Sequence, residues 1–199
     1  MAARRTTPGA EDRPLSFIEQ TRRAQLIEVT IRLVAEHGYA AASLARIAQA
    51  AGITKGAVLY HFASKDAVVA AAHAQVLDAL VADVGAAVEA VPADQAPAAY
   101  VRRMIGHLAE RPDHARLIVE AMLHHGRPAP EARWKPLAAL LRDAREARDL
   151  GPGPDPRTLA LITGGAIDAI VGEHLRDAAY DAGAAAESLI EMVEAAAFG

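Results

Sequence analysis

Helix-breaking residues divide this chain into nine segments, and this division constrains the fold more than any other feature. Glycines and prolines separate stretches whose apolar residues recur at helical spacing, as Ala24, Ile27 and Ile31 do in the first stretch. The strongest break is the Gly/Pro-rich run at 151–156. Alanine dominates the apolar residues, and no stretch of useful length alternates as a strand does. We therefore predict an all-α fold of about nine helices.

Charge is distributed unevenly between the two ends of the chain. Residues 1–66 contain nine Lys/Arg and six Asp/Glu, a net charge of +3, whereas residues 67–199 contain twelve and nineteen, a net charge of −7. A basic head on an acidic body suits a protein that presents only its head to a polyanion, although chance scatter gives a similar excess. Residues 1–15 contain arginines and prolines but no apolar block, so we expect a flexible arm and no secretory signal.

Two short segments on either side of Gly52 fit a helix-turn-helix. Residues 44–51 and 54–62 have helical spacing, and the glycine between them supplies the backbone angles that a tight turn needs. With Val58 and Phe62 facing inward, the opposite face of the second helix can lie in a DNA major groove about 12 Å wide. An ordinary hairpin in an α-helical bundle has the same pattern. The residues expected to contact DNA are Ser43, Arg46, Thr54, Lys55, Gly56, Leu59, Tyr60, His61 and Lys65.

The side chains on this outward face suit distinct contacts with DNA. Lys55 and the free backbone N–H groups beside it can meet phosphates or base edges. Gly56 lets the backbone approach the DNA closely, and the side chains of Tyr60 and His61 can donate to phosphates. Lys65, at the start of the next helix, would bring a further charge to the DNA backbone.

Residues 22–72 resemble the DNA-binding domain of the TetR (TetR/AcrR-like) family of regulators. The residues that carry the resemblance are Arg23, Leu26-Ile27, Glu36-His37-Gly38-Tyr39, Ser43-Leu44-Ala45-Arg46-Ile47-Ala48, Ala51-Gly52-Ile53-Thr54-Lys55-Gly56, Leu59-Tyr60-His61-Phe62 and Ser64-Lys65-Asp66. The resemblance implies a three-helix head, a long fourth helix and a C-terminal effector domain. We accordingly expect a helix-turn-helix domain at 16–66 and a ligand-binding and dimerisation domain at 67–199.

The chain departs from the family pattern at positions that face DNA. Leu59 stands where a phosphate-binding tyrosine is common, so either Tyr60 takes over that contact or Leu59 touches a thymine methyl group. Ala57 stands where threonine is frequent, and Ala45 where a longer polar side chain often contacts DNA. These departures concern base reading rather than the way in which the head docks.

Three helices of the body present apolar faces that could enclose a cavity. Small-molecule sites are typically cavities that are mostly apolar with a few polar groups. A filled core without a cavity would show the same apolar residues. The residues expected to line the pocket are Met104, His107, Leu108, Leu117, Ala121, His125, Trp134, Leu137 and Leu141.

The last two predicted helices are apolar on more than one side, which favours pairing with a second copy of the chain. The family resemblance implies the same four-helix interface, which would place two recognition helices about one DNA turn apart or more. The residues expected in this interface are Ile162, Ala166, Ile167, Ile170, Leu189, Ile190 and Val193.

Several other classes of function lack support in the sequence. There is no cysteine, and none of the eight histidines lies three or four residues from another, so we expect no metal site. No catalytic or phosphate-binding motif is present, and we expect neither an enzyme nor a cofactor. No run of about eighteen apolar residues is free of charges, so we expect no membrane span and a cytoplasmic protein.

The sequence therefore predicts a ligand-responsive, dimeric transcriptional regulator, most often a repressor, that binds a palindromic double-stranded DNA operator and a small-molecule effector. One alternative is an α-helical enzyme or small-molecule-binding protein whose N-terminal hairpin does not bind DNA. Another is a purely structural dimeric bundle without a cavity.

Overall fold

The computed structural model describes residues 16–125 and 130–199. Within these ranges the chain forms nine α-helices, one short 3-10 turn at Ala93–Gln95 and no strand, which confirms the predicted all-α class. The predicted arm at 1–15 lies outside the described residues. The helices are α1 (Phe17–Ala41), α2 (Leu44–Ala50), α3 (Lys55–His61), α4 (Lys65–Glu89), α5 (Ala96–Glu110), α6 (Pro112–His125), α7 (Pro130–Ala147), α8 (Pro156–Arg176) and α9 (Ala182–Phe198).

Side-chain caps begin each of the four helices of the N-terminal region. Ser16, Ser43, Thr54 and Ser64 each accept a hydrogen bond from the backbone N–H three residues further on, at 3.1–3.3 Å. Each bond satisfies one of the N–H groups that a helix start leaves without an intrahelical partner. These helix starts are therefore specified by local sequence.

Gly38 interrupts α1 three residues before its end. Its backbone angles, φ 76° and ψ 166°, belong to a region that essentially only glycine adopts. The break exposes the N–H of Tyr39, which donates to Oε2 of Glu120 on α6 at 2.8 Å. A body helix thus satisfies the backbone at a break in the first helix of the head.

Two apolar clusters stabilise the N-terminal region. The first packs α1, α2, α3 and the start of α4 around residues that include Leu26, Ile47 and Val58, each with no exposed surface. The second joins α1 and α4 to Leu117 of α6. Because α4 contributes to both clusters, the head and the body share a core, and the boundary predicted at residue 66 remains a prediction.

The body has its own, larger core. Its buried residues come from α5, α6, α7, α8 and α9, with Ile105 and Leu137 among the most completely buried. Helix α5 contacts α4 on one side and α7, α8 and α9 on the others. Helix α4 therefore connects the body to the head, as does α6, which packs against α1.

Two of the described helices, α4 and α8, are long and apolar enough to cross a membrane by length and composition alone. Within their most apolar windows, 33% of the residues of α4 and 22% of those of α8 are buried inside the chain. Helix α4 packs against α1, α5 and α6, whereas α8 packs against α5, α6, α7 and α9. The sequence expectation concerned charge-free runs, whereas these two helices contain a few charges among many apolar residues.

Candidate nucleic-acid interface

Helices α2 and α3 meet across a tight turn, as the helix-turn-helix pattern predicts. Gly52 in this turn has a φ of 67°, a conformation that side chains disfavour. The Ile53 N–H donates to the Ala48 carbonyl at 3.0 Å, which closes the turn. Ile47 and Val58 pack beneath it with no exposed surface. The buried face of α3 fixes which of its residues point outward.

The opposite face of α3 is open to solvent. Leu59 is 43% exposed and Tyr60 is 73% exposed. Lys55 is exposed and forms no ion pair within the described residues. At Gly56, an added Cβ would find only the Thr54 hydroxyl oxygen, at 3.8 Å. Nothing in the described chain therefore requires a glycine at this position.

Helix α1 supports the C-terminal end of α3 through two side chains that the sequence analysis did not single out for this role. Tyr60 donates its hydroxyl hydrogen to Oε1 of Glu19 at 2.8 Å. Arg23 donates to the His61 carbonyl, and its guanidinium lies 4.1 Å from the centroid of the Phe62 ring. Both contacts join residues about forty positions apart, so no local pattern signals them.

His61 is held in its neutral form by its surroundings. Burial is the main cause that lowers its pKa below the usual 6.5, and the positive charge of Arg23 adds to the effect. The ring is half-buried, and its edge faces the ring of Tyr60. The neutral ring that these surroundings favour carries one N–H donor.

Lys65, which is expected to contact DNA, also makes contacts within the chain. Its ammonium group donates to the Tyr39 carbonyl and lies 3.9 Å from the centroid of the Tyr39 ring. The group therefore lies against the end of α1, where it also approaches the Ala40 carbonyl at 3.4 Å. Ser43 and Arg46 lie exposed at the start of α2, where Ser43 serves as the cap.

A polar contact near the C-terminal end of α6 connects the body to the head. Oε2 of Glu120, which accepts from the Tyr39 N–H, lies 3.6 Å from Nε2 of His124. The His124 ring stacks on the Tyr39 ring with a centroid distance of 4.4 Å. The Tyr39 hydroxyl in turn donates to Asp66 at the start of α4. Three helices, α1, α4 and α6, thus meet around one tyrosine.

The residues predicted to line a pocket do not share one cluster. Leu137 and Leu141 lie in the body core, with Met104, Leu108 and Trp134 packed against it. Leu117 belongs instead to the cluster shared with the head. Ala121 is buried, and the His125 side chain lies outside what the structure describes.

Two cavities of about 510 and 440 Å³ open along α7 and α8. From the predicted pocket set, Leu141 lines the first and Trp134 the second. Arg142 and Pro156 line both cavities, which therefore adjoin.

His107, another predicted pocket residue, is engaged inside the chain. It is 1% exposed, and its Nδ1 lies 2.6 Å from Oδ2 of Asp83 on α4. Its Nε2 lies 3.4 Å from Nδ1 of His114 on α6. Hydrogen bonds from Arg103 and His107 lower the pKa of Asp83 far below its usual 3.8. The histidine is thus one member of a polar cluster that joins α4, α5 and α6.

The predicted dimer surface is only partly available in the single chain. Four of the expected interface residues are already buried in the chain's own core, because α8 and α9 pack against each other and against α5: Ile167, Leu189, Ile190 and Val193. The large apolar residues that these helices leave exposed are Leu161, Ile162 and Met192. Ala166 and Ile170 are half-buried, so their exposure is intermediate between that of the two groups.

An all-helical body joined to a helix-turn-helix head defines the class of helix-turn-helix proteins, and comparison with known proteins shows which family the head resembles. Residues 26–72 match the model described as "Bacterial regulatory proteins, tetR family". The chain is 36% identical over 92 residues to the HTH-type transcriptional regulator BetI of Ectopseudomonas mendocina, which covers 46% of each protein. The head of the chain is therefore similar to the DNA-binding region of TetR-family regulators. The chain spans about half the length of this curated relative.

Solved structures extend the likeness to the body. The fatty acid degradation regulator FadR from Bacillus halodurans has a TM-score of 0.72 and 21% identity, over 86% of this chain and 94% of that one. FadR from Bacillus subtilis, solved in complex with stearoyl-CoA, has a TM-score of 0.70 and 20% identity, over 85% and 96%. At these identities the likeness establishes the fold.

Proposed function

We propose that this protein is a cytoplasmic, ligand-responsive transcriptional repressor. It binds a palindromic DNA operator as a homodimer. The observation that carries the proposal is the outward face of α3, where Lys55, Gly56, Leu59 and Tyr60 are exposed to solvent. A helix face suits a DNA groove when it presents a cation (Lys55), an aromatic hydroxyl (Tyr60) and backbone without a side chain (Gly56).

In this proposal, α3 lies in the major groove with its N-terminus toward a phosphate. Lys55 and the first N–H groups of α3 contact the DNA backbone, and Leu59 meets a thymine methyl group. Exposed Ser43 and Arg46 bring the start of α2 to a neighbouring phosphate. Thr54, which caps α3, holds the N-terminus in place.

The homodimer forms through α8 and α9. Leu161, Ile162 and Met192 are exposed on these helices in the single chain, and burying them against a second copy removes apolar surface from water. A two-fold axis there gives the dimer two recognition helices, which suits a palindromic site. Ala166 and Ile170 complete the patch.

The effector is a small molecule with an apolar body and an anionic group, bound in the cavities along α7 and α8. Leu141, Leu159 and Ala197 supply apolar walls to the larger cavity, and Arg142 lines both. A related fold that was solved with stearoyl-CoA supports a ligand of this kind. An effector that shifts the body toward a second state would change operator affinity by the coupling typical of allostery, about 1–3 kcal/mol.

DNA binding is tested by selecting duplexes from a random 30-base-pair pool and measuring affinity for the enriched sequence at several salt concentrations. We expect Lys55→Ala to weaken binding and to reduce the salt slope by about one, since one phosphate contact is lost. We expect Gly56→Ala to fold normally, because a Cβ has room in the chain, and to weaken binding by at least tenfold.

Arg116→Ala is the control for charge, because Arg116 is an exposed helical cation of the body that lines neither cavity. It should leave both affinity and salt slope unchanged. A pool with no enriched sequence, together with equal DNA affinity for the wild type and Lys55→Ala, would overturn the proposal in favour of a small-molecule-binding protein whose hairpin does not meet DNA.

Effector binding is tested through Trp134, the single tryptophan of the chain, which lines the smaller cavity. We expect titration with stearoyl-CoA to change the fluorescence of Trp134. We also expect it to weaken operator binding five- to about 150-fold, which corresponds to typical coupling energies. Neither change should occur in Arg142→Ala. An unchanged operator affinity at saturating stearoyl-CoA contradicts this ligand as the effector.

A further inference from the structure

Glu19 occupies an unusual place for a carboxylate in a protein proposed to bind DNA. It lies in the first turn of α1 and makes two kinds of hydrogen bond. Its Oε2 accepts from the Ser16 backbone N–H at 2.8 Å, and its own N–H donates to the Ser16 hydroxyl oxygen at 3.3 Å. Its other oxygen, Oε1, accepts from the Tyr60 hydroxyl at 2.8 Å. Helix capping therefore uses one oxygen, and the contact with α3 uses the other.

This contact restrains the side chain of Tyr60, which is 73% exposed. The ring of Tyr60 lies 5.1 Å from the ring of His61, centroid to centroid, with the two planes nearly perpendicular. A hydrogen bond from a hydroxyl to a carboxylate is stronger than one between neutral groups. With Arg23 tied to the His61 carbonyl, α1 fixes two consecutive residues of α3.

The same carboxylate opposes binding to a polyanion. A negative charge beside the outward face of α3 repels phosphates of any DNA, whatever its sequence. Orienting Tyr60, in contrast, helps only where the DNA presents a group in the right position. The charge therefore weakens binding to unrelated DNA, whereas the orientation of Tyr60 strengthens binding to the operator.

We infer that Glu19 is a positioning residue that fixes Tyr60 for operator recognition and so raises discrimination between the operator and other DNA. The inference rests on the proposed DNA-binding function. Glu19 acts through the tyrosine and contacts no base. Its charge weakens non-specific binding, and its hydrogen bond preserves specific binding.

The test compares affinity for the selected operator with affinity for a scrambled duplex of equal length. We expect Glu19→Ala to bind the scrambled duplex more tightly than the wild type, since one negative charge is lost. We expect its ratio of operator to scrambled affinity to fall about two- to tenfold, the range that one hydrogen bond supports. Tyr60→Phe, which keeps the ring, should lower the ratio by a similar factor, and the double variant should lower it no further.

Ser16→Ala is the matched control. It removes the hydroxyl that caps α1 but leaves the bond between Tyr60 and Glu19, so it should reduce thermal stability without changing the ratio. An unchanged ratio in Glu19→Ala, or additive losses in the double variant, would overturn the inference about Glu19. The proposed function would still stand in that case, provided that the wild type prefers the operator. A wild type without any preferred duplex overturns both.

Discussion

At the level of single residues, three glycines of the head have different roles. Gly38 and Gly52 have positive φ values of 76° and 67°, whereas Gly56 lies in a regular helix. Only the first two are required by the backbone. A side chain added at Gly56 would therefore act on what lies outside the chain.

We expect Gly38→Ala to lower the free energy of unfolding by about 1–3 kcal/mol, because its backbone region is strained for any side chain. The loss should be visible as a lower midpoint in urea. Gly85→Ala in α4 is the matched control: it has regular helical geometry and no atom within 4 Å of an added Cβ. It should leave stability unchanged or raise it by up to about 1 kcal/mol. Equal effects of the two substitutions would contradict the role assigned to Gly38.

At the level of helices, α4, α5 and α6 are joined by the cluster around His107. Burial, with the nearby His107 and Arg111, lowers the pKa of His114 below 6.5. Its folded state therefore prefers the neutral ring, so its contribution to stability is complete above about pH 6.5 and declines as the pH falls. The lowered pKa of Asp83 acts in the same direction, since its contribution is present above pH 3.8 and is lost at lower pH.

We expect the free energy of unfolding of the wild type to fall between pH 7 and 5, and to fall again below pH 4. In urea titrations across this range, His114→Gln should flatten the first decline and Asp83→Asn the second. Each variant controls for the other, because each removes one titrating group from the same cluster. A first decline that persists in His114→Gln would assign it to a different group.

At the level of the whole molecule, the exposed apolar residues of α8 and α9 determine the proposed assembly. Ile162 is 64% exposed, so replacing it with glutamate removes little packing within the chain. We expect Ile162→Glu to raise the dimer dissociation constant at least tenfold in sedimentation equilibrium, and to weaken operator binding in parallel because one recognition helix binds alone. Leu123→Glu, at a 73% exposed leucine of α6, is the matched control and should leave the dimer intact. A dimer unaffected by Ile162→Glu would place the interface elsewhere.

The helices and the outward face of α3 could be predicted from the sequence because their causes are local. Caps such as Ser43 and Thr54 act over three residues, and the turn at Gly52 needs one unusual backbone angle. Helical spacing then places Lys55 and Tyr60 on one face. The dimer surface was predicted less well, since apolar spacing shows which side of α9 is buried but not whether its own chain or a second copy covers it.

Local sequence thus determined the nine helices of the described chain, their starts and the orientation of the recognition face, since each depends on neighbours within about one helical turn. Only the tertiary structure decided that Lys65 turns toward Tyr39, that Glu120 satisfies the break in α1 and that Glu19 holds Tyr60. These contacts join residues between 26 and 81 positions apart. Their geometry depends on how helices pack, which spacing along one helix does not specify.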